Sequence, residues 1–339
     1  MYTAEGQYVG TAYLQERPPH NEVLGPVQPR GPTAGVVIRH GRLVAQWGDI
    51  HRADMTFSVA KSFLAILTGI AVGDGLIRDV EEPVLAASER RQELAPYFAG
   101  EGNQAITWAH LLQQTSEWSG ELWTKPDTVD SNRQTQAGAE VDNSRKGTHR
   151  ERKAPGQHWE YNDVRVNLLA LCLLHVFRRP LPEVLAERVM APVGASATWN
   201  WLAYANAYVD IDGRLLPSVP GGGHWGGGLI INTSDLARFG HLVLNRGKWQ
   251  GRQLLDSGWL DQMVSPCHLN PHYGYMWWLN TDGNQCDAAP STSFFAAGAG
   301  SNIVWIDRDN DLIVVCRWMA KDKLGPFLTW LTRSIRSDV

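Results

Sequence analysis

Cysteine is scarce. The chain has four in 339 residues, at 172, 267, 286 and 316, and neither their spacing nor their density suits a zinc site or a disulfide scaffold. They read as free thiols of a reducing compartment. No run of 18 apolar residues occurs, so there is no candidate membrane-spanning helix. The opening stretch MYTAEGQYVGTAYLQERPPH also lacks a basic segment followed by an apolar one. Together these absences predict a cytoplasmic protein. Charge of one sign is not in excess either: the net charge of -4 supplies none of the clustered Lys/Arg that nucleic acid or an anionic membrane surface would require. Metal chemistry has little to stand on. His268 and His272 bracket a Leu-Asn-Pro stretch, but Pro271 interrupts any continuous helix there and no third ligand follows. No metal and no cofactor is expected, and no internal repeat is visible.

What is present is an ordinary globular balance, 43% hydrophobic and 19% charged, over a length that suggests about two domains. Residues 15–33 are rich in Pro and polar residues and read as an extended lead-in. Two β-branched runs in 34–49 flank His40-Gly41 and predict a hairpin. A helix apolar on almost every side follows from Ser58 and is stopped by Gly73 and Gly75. Residues 76–220 lack alternating strand patterns and hold helical segments at 107–115, 164–178 and 181–190. The block PGGGHWGGG (220–228) marks a boundary, after which 233–247 reads as a helix capped by Thr233 or Ser234. Strand signals return at 273–280 and 302–318, the latter turning at Asp309-Asn310-Asp311, and a helix is predicted at 325–336. The expected architecture is α/β of the α+β type. An antiparallel sheet flanked by helices is built from 1–75 and 221–339, with 76–220 as a mostly helical insert domain.

The chemistry concentrates in TFSVAKSFLAILTGIAVGDG (56–75). A buried lysine costs several kcal/mol unless paired or deprotonated, so Lys61 in the first turn of an apolar helix calls for a function. Ser58 stands three residues earlier on the same helical face, about 5 to 6 Å away by helix geometry. No other serine in the chain has lysine at that spacing. Burial and the positive end of the helix macrodipole both disfavour the ammonium, so the Lys61 pKa is expected to fall towards that of a base. Serine needs such a neighbour to attack a carbonyl. A second constellation, APGQHWEYNDVRVNLLALCLL (154–174), places Tyr161 at a strand-to-helix junction where Asn162 or Asp163 caps the helix. Beside a lysine, its phenol can serve as a proton shuttle.

With ITWAHLLQQTSEWSG, GGGHWGGGLIINTSDLARFGHLVLNRGKWQG and FFAAGAGSNIVWIDRDNDLIVV following in order, residues 34 to 320 resemble the class C β-lactamase-like serine hydrolases, which also include penicillin-binding-protein-like DD-peptidases. The likeness is greatest to the family VIII carboxylesterases and 6-aminohexanoate-dimer hydrolases. The resemblance implies Ser58 as acylating nucleophile, Lys61 as its proton partner and Tyr161 as the tyrosine of a Tyr-x-Asn motif. It also implies an oxyanion hole from the Ser58 and Ala299 N–H groups, with Gly298 and Gly300 letting substrate approach the backbone. Two departures stand out. Asp163 occupies the asparagine position, with Asn162 one place earlier, and either could contact Lys61 or the substrate. An aspartate there would hold Lys61 protonated and move the base role to Tyr161. The usual Lys-Thr-Gly or His-Thr-Gly of the third motif is replaced by Gly298-Ala299-Gly300, which removes the cation that helps bind the carboxylate of β-lactams. Of 15 tryptophans, Trp118, Trp123, Trp159 and Trp225 fall near motif segments, and Trp118 and Trp225 are expected to line an apolar pocket. The expected activity is hydrolysis of a small-molecule ester or amide through an acyl-enzyme, with no nucleic-acid or membrane partner. The alternatives are a β-lactamase or DD-peptidase of the same fold, and a non-catalytic penicillin-recognising or scaffolding module.

Overall fold

The computed structural model describes residues 16, 18–86, 92–135 and 141–335. In chain order, β1 (Ala34–Arg39) and β2 (Arg42–Trp47) form a hairpin, and β3 (Asp54–Met55) leads into α1 (Val59–Gly73). Next come α2 (Trp108–Leu112), α3 (Asp163–Phe177), β4 (Asn200–Leu202), β5 (Gly228–Ile231) and α4 (Thr233–Leu244). The chain closes with β6 (Trp278–Leu279), β7 (Phe294–Gly298), β8 (Asn302–Asp307), β9 (Leu312–Arg317) and α5 (Lys321–Ser334). The first turn is tight because His40 (φ 50) and Gly41 (φ 68) both take left-handed backbone, the geometry that matches strand twist in a two-residue hairpin.

Six strands make one antiparallel sheet in the order β6-β7-β8-β9-β1-β2, so among the described residues the first strand pairs with the last, Val36 opposite Val315. Successive side chains alternate between its faces. Val36, Val304, Ile306, Ile313 and Val315 pack on the side of α1 and α4. Val37, Ile303, Trp305, Leu312 and Val314 pack with Leu324 and Leu328 of α5 on the other. With both faces covered, the central strands read as continuous apolar runs. A smaller sheet, β3-β5-β4, joins the chain before α1 to the segment after the glycine block. Arg317 ties the two sheets together: buried at the end of β9, it donates to the carbonyls of Ile231, Asp54 and Met55 and to Asn302 Oδ1. Because β3 runs directly into Ser58, this arginine anchors the nucleophile's segment.

Several sequence expectations need correction. Residues 76–220 are not mostly helical: α3 is their one long helix among the described residues. They also carry β4 and a hairpin of Tyr208–Ile211 with Arg214–Pro217. Its turn is Asp212-Gly213, both at positive φ, an Asp-Gly signal between two short runs, YVDI and RLLP, each only four residues long. Hydrophobic packing also continues unbroken past residue 76 and past residue 220. The strand expected over 273–280 shrinks to β6. The cap of α4 is Asn232, whose Oδ1 accepts from Asp235 N at 2.7 Å. The last helix starts at Lys321, four residues early, with Pro326 inside it. All four cysteines are buried thiols. Among the described residues no helix is long and apolar enough to cross a membrane.

Candidate active site

Every residue of α1 from Val59 to Ala71 is buried, as befits a helix apolar all round. Ser58 is its N-cap residue, yet its side chain makes no capping bond, so Oγ is left for other partners. The preceding Phe57 has φ 51, an uncommon conformation for a bulky residue. It is held by an edge-on contact with Trp318, ring centroids 6.0 Å apart, and by β7 passing alongside. A Cβ on Gly298 would fall 2.0 Å from Thr56 O and 3.1 Å from Ser58 N, so only glycine lets that strand edge run so close to the nucleophile.

Lys61, 1% exposed, directs its Nζ at three acceptors: Ser58 Oγ at 2.9 Å, Asp163 Oδ1 at 2.5 Å and Gly221 O at 3.4 Å. Three acceptors match the three N–H bonds of an ammonium. Burial pushes the Lys61 pKa down, but the charge of Asp163 and the proximity of Tyr161 outweigh it and leave it raised. The expected fall towards a base is therefore corrected. The sequence of the helix does not contain its tertiary partner, and the carboxylate supplied by α3 reverses the sign. For Asp163, burial pushes upward while Lys61, Arg133 and His224 together hold the carboxyl well below its usual range. Its second oxygen accepts from Arg133 Nη1 at 2.8 Å and His224 Nδ1 at 2.7 Å. Its own N–H donates to Asp130 Oδ2 at 2.8 Å.

Tyr161 stacks on Trp278, centroids 5.7 Å apart. Its ring lies 4.8 Å from Lys61 Nζ and 5.1 Å from the Arg133 guanidinium, within cation–π range. The segment carrying it is fastened by a buried ionic cluster. Arg165 of α3 bonds Glu117 at 3.0 Å and Trp118 O at 3.1 Å, and Arg150 joins Glu117 to Glu160.

Ser58, Tyr161, Asp163, Gly298, Ala299 and Gly300 all line one cleft of about 820 Å³, with Lys61 directly behind Ser58. Three candidates lie elsewhere. Asn162 is fully buried and caps α3, Oδ1 accepting from Arg165 N at 3.1 Å and Nδ2 donating to Asp127 O at 2.8 Å, so Asp163 alone meets Lys61. Trp118 and Trp225 are interior, their indole N–H groups spent on Tyr97 O and His20 O. The aromatic walls of the cleft are instead Phe57, Tyr161, Trp278 and Trp318.

The sequence reading missed Arg133, His224 and Gly222. The glycine block read as a boundary is a wall of the site: a Cβ on Gly222 would lie 2.8 Å from Lys61 Nζ, 3.0 Å from Asp163 Oδ1 and 3.4 Å from Ser58 Oγ. Its density of glycine was the available signal. Arg133 sits in a polar stretch without any pattern to mark it. Among the described residues no three His, Cys, Asp or Glu side chains gather to hold a metal.

The Beta-lactamase family model matches residues 30–322. No curated protein matches the chain. Solved structures share the fold. A candidate 6-aminohexanoate-dimer hydrolase from Bacillus anthracis superimposes with a TM-score of 0.58 at 18% identity, covering 89% of this chain and 76% of its own. EstCE1, described as a hydrolase with promiscuous acyltransferase activity, gives 0.61 at 14% identity, covering 89% and 92%. A D-stereospecific amidohydrolase from a Streptomyces species gives 0.57 at 17% identity, covering 84% and 89%.

Proposed function

Because the chain belongs to the beta-lactamase family, we propose that it is a serine hydrolase that cleaves a small ester or amide through an acyl-enzyme on Ser58. The observation that carries this reading is the 2.9 Å bond from Lys61 Nζ to a Ser58 Oγ that opens into the cleft at the start of a buried helix. In the resting site Lys61 is an ammonium held by Asp163. It orients Ser58 and stabilises negative charge on its oxygen as the carbonyl is attacked. Tyr161 relays the proton: its oxygen takes the proton of Ser58 and gives one to the leaving oxygen or nitrogen, and water then repeats the sequence to free the acid. The N–H groups of Ser58 and Ala299 receive the oxyanion. EstCE1, described as a hydrolase with promiscuous acyltransferase activity, and the D-stereospecific amidohydrolase share the fold, which supports acyl transfer through Ser58 and an amide among the substrates. Arg30 and Lys321 line the outer cleft and favour, as a second reading, a substrate bearing a carboxylate, including a β-lactam.

The test is labelling with a fluorophosphonate probe, with the modified residue located by mass spectrometry, alongside a series of p-nitrophenyl esters of graded chain length. Labelling at Ser58 and loss of turnover in Ser58→Ala are expected. Hydrolysis by Ser58→Ala at the wild-type rate would remove the mechanism, and an unlabelled, inactive wild type would favour a non-catalytic binding module.

A further inference from the structure

His224 is clamped between two carboxylates. Its Nδ1 lies 2.7 Å from Asp163 Oδ2 and its Nε2 lies 3.1 Å from Glu16 Oε1, and the ring is 3% exposed. A neutral imidazole has one N–H and would turn a lone pair on one of those carboxylates; only the imidazolium donates to both. The surrounding charges are Asp163 from α3, Asp130 from the Asp127–Asp130 turn and Glu16 from the N-terminal segment, against Lys61 from α1, Arg133 and Lys146. Burial disfavours a charged ring, but the bonds to Asp163 and Glu16 outweigh it and raise the His224 pKa.

Glu16 is held in place from both sides. Lys146 pairs with its carboxylate. The chain just after it is fixed to the glycine block by Trp225 Nε1 to His20 O, Leu24 N to Trp225 O and Gly227 N to Pro26 O, each at 2.8 Å. The lead-in thus delivers a carboxylate to the rear of the active site.

We propose that His224 and Glu16 are positioning residues of the hydrolytic site: the imidazolium, held by Glu16, fixes the Asp163 carboxylate and takes up part of its charge. It thereby sets how tightly Asp163 holds the Lys61 ammonium. The inference rests on the reading of Ser58 as nucleophile. Removing the cation leaves more negative charge at Asp163, so any proton that Ser58, Lys61 or Tyr161 must release comes off at higher pH. Removing Glu16 leaves the Asp163 bond intact, but the imidazolium loses an anionic partner and titrates at lower pH.

The experiment measures kcat and KM for p-nitrophenyl acetate from about pH 5 to about pH 10 in the wild type, His224→Gln and Glu16→Gln, with thermal unfolding of each. In His224→Gln, kcat should fall by about tenfold or more at neutral pH with KM changed by less than about twofold, and the rising limb should move to higher pH. Glu16→Gln should match the wild type at low pH and lose activity as its His224 deprotonates. A merely structural role would lower the melting temperature without moving either limb. Profiles of both variants that superimpose on the wild type overturn the proposal, and if His224→Gln does not fold, Glu16→Gln decides alone. Fluorophosphonate labelling of all three separates the two readings. An unlabelled wild type defeats the nucleophile assignment, whereas equal labelling with unmoved profiles defeats this inference only.

Discussion

Lys61 Nζ stands 2.5 Å from Asp163 Oδ1 in a site closed to solvent on the Lys61 side, and that contact sets the proton inventory of the nucleophile. Asp163→Asn removes the charge while keeping the shape. The Lys61 ammonium then loses its main stabilising partner, so its pKa should fall and the falling limb of kcat/KM for an ester, where the ammonium is lost, should move to lower pH. Breaking a buried pair from one side also leaves Lys61, Arg133 and His224 less compensated, at a cost of about 3 to 5 kcal/mol. A pH–rate profile and a urea titration of the same variant check both effects. A limb that stays in place would show that Lys61 does not control the rate.

Gly222→Ala should impair catalysis out of proportion to stability. Its methyl would sit 2.8 Å from Lys61 Nζ and 3.0 Å from Asp163 Oδ1, so one of the two must shift by several tenths of an ångström. A misplacement of about 1 Å can cost on the order of 100-fold in rate when reacting groups must be aligned, so a shift of several tenths should cost about tenfold. We expect kcat to fall by about that factor while the ester KM changes little, and steady-state kinetics decide the matter.

These two sites mark the limit of what was legible in the sequence. Ser58 and Lys61 could be found because their relation is local, three residues along one helix, and α1, β8 and β9 because each is a continuous apolar run bounded by turn residues. The asparagine-to-aspartate change at 163 even raised the charged state of Lys61 as an alternative. The sign of the shift was not readable, because it depends on a partner 102 residues away. His224 meets Asp163 across 61 positions and Glu16 across 208, and no periodicity records such pairings. Trp118 and Trp225 illustrate the converse. Their proximity to motifs in the chain carried no information about which way the rings face, and the cleft took Trp278 and Trp318 instead.

Acid should unfold the protein through the cluster behind α3. Burial pushes the Glu117 carboxyl up, but the hydrogen bond from Arg150 and the charge of Arg165 bring it down from 4.5 to about 2. A carboxylate depressed in the folded state contributes stability that is complete above its unfolded value and is lost as pH falls through the folded one. Asp163 and Asp130 are shifted the same way. Urea midpoints should therefore drop steeply between about pH 4.5 and about pH 2. The drop should be shallower in Glu117→Gln, which starts from lower stability at neutral pH. Parallel slopes for the two proteins would place the acid sensitivity elsewhere.

Substrate preference offers the sharpest test of the proposed activity. A β-lactam carries a carboxylate that must find a cation; the β7 side of the cleft offers Gly298-Ala299-Gly300, and Lys61, Arg133 and His224 are each bonded to Asp163. Arg317 cannot serve, since its N–H groups are committed to Asn302 and to the carbonyls of Ile231, Asp54 and Met55. Leaving the carboxylate unpaired in a partly desolvated cleft costs on the order of 2 to 5 kcal/mol, the range for truncating one member of a buried charge pair. An ester without a carboxylate escapes that cost and has a good leaving group in p-nitrophenolate. We expect kcat/KM for a short-chain p-nitrophenyl ester to exceed that for a cephalosporin by at least about tenfold, which needs only about 1.4 kcal/mol of the difference. Equal rates would mean that Arg30 or Lys321, the solvent-exposed cations among those that line the cleft, reach the carboxylate. Arg30→Ala and Lys321→Ala would then each be assayed with both substrates, and a loss confined to the cephalosporin would identify the cation and make the β-lactam reading the better one.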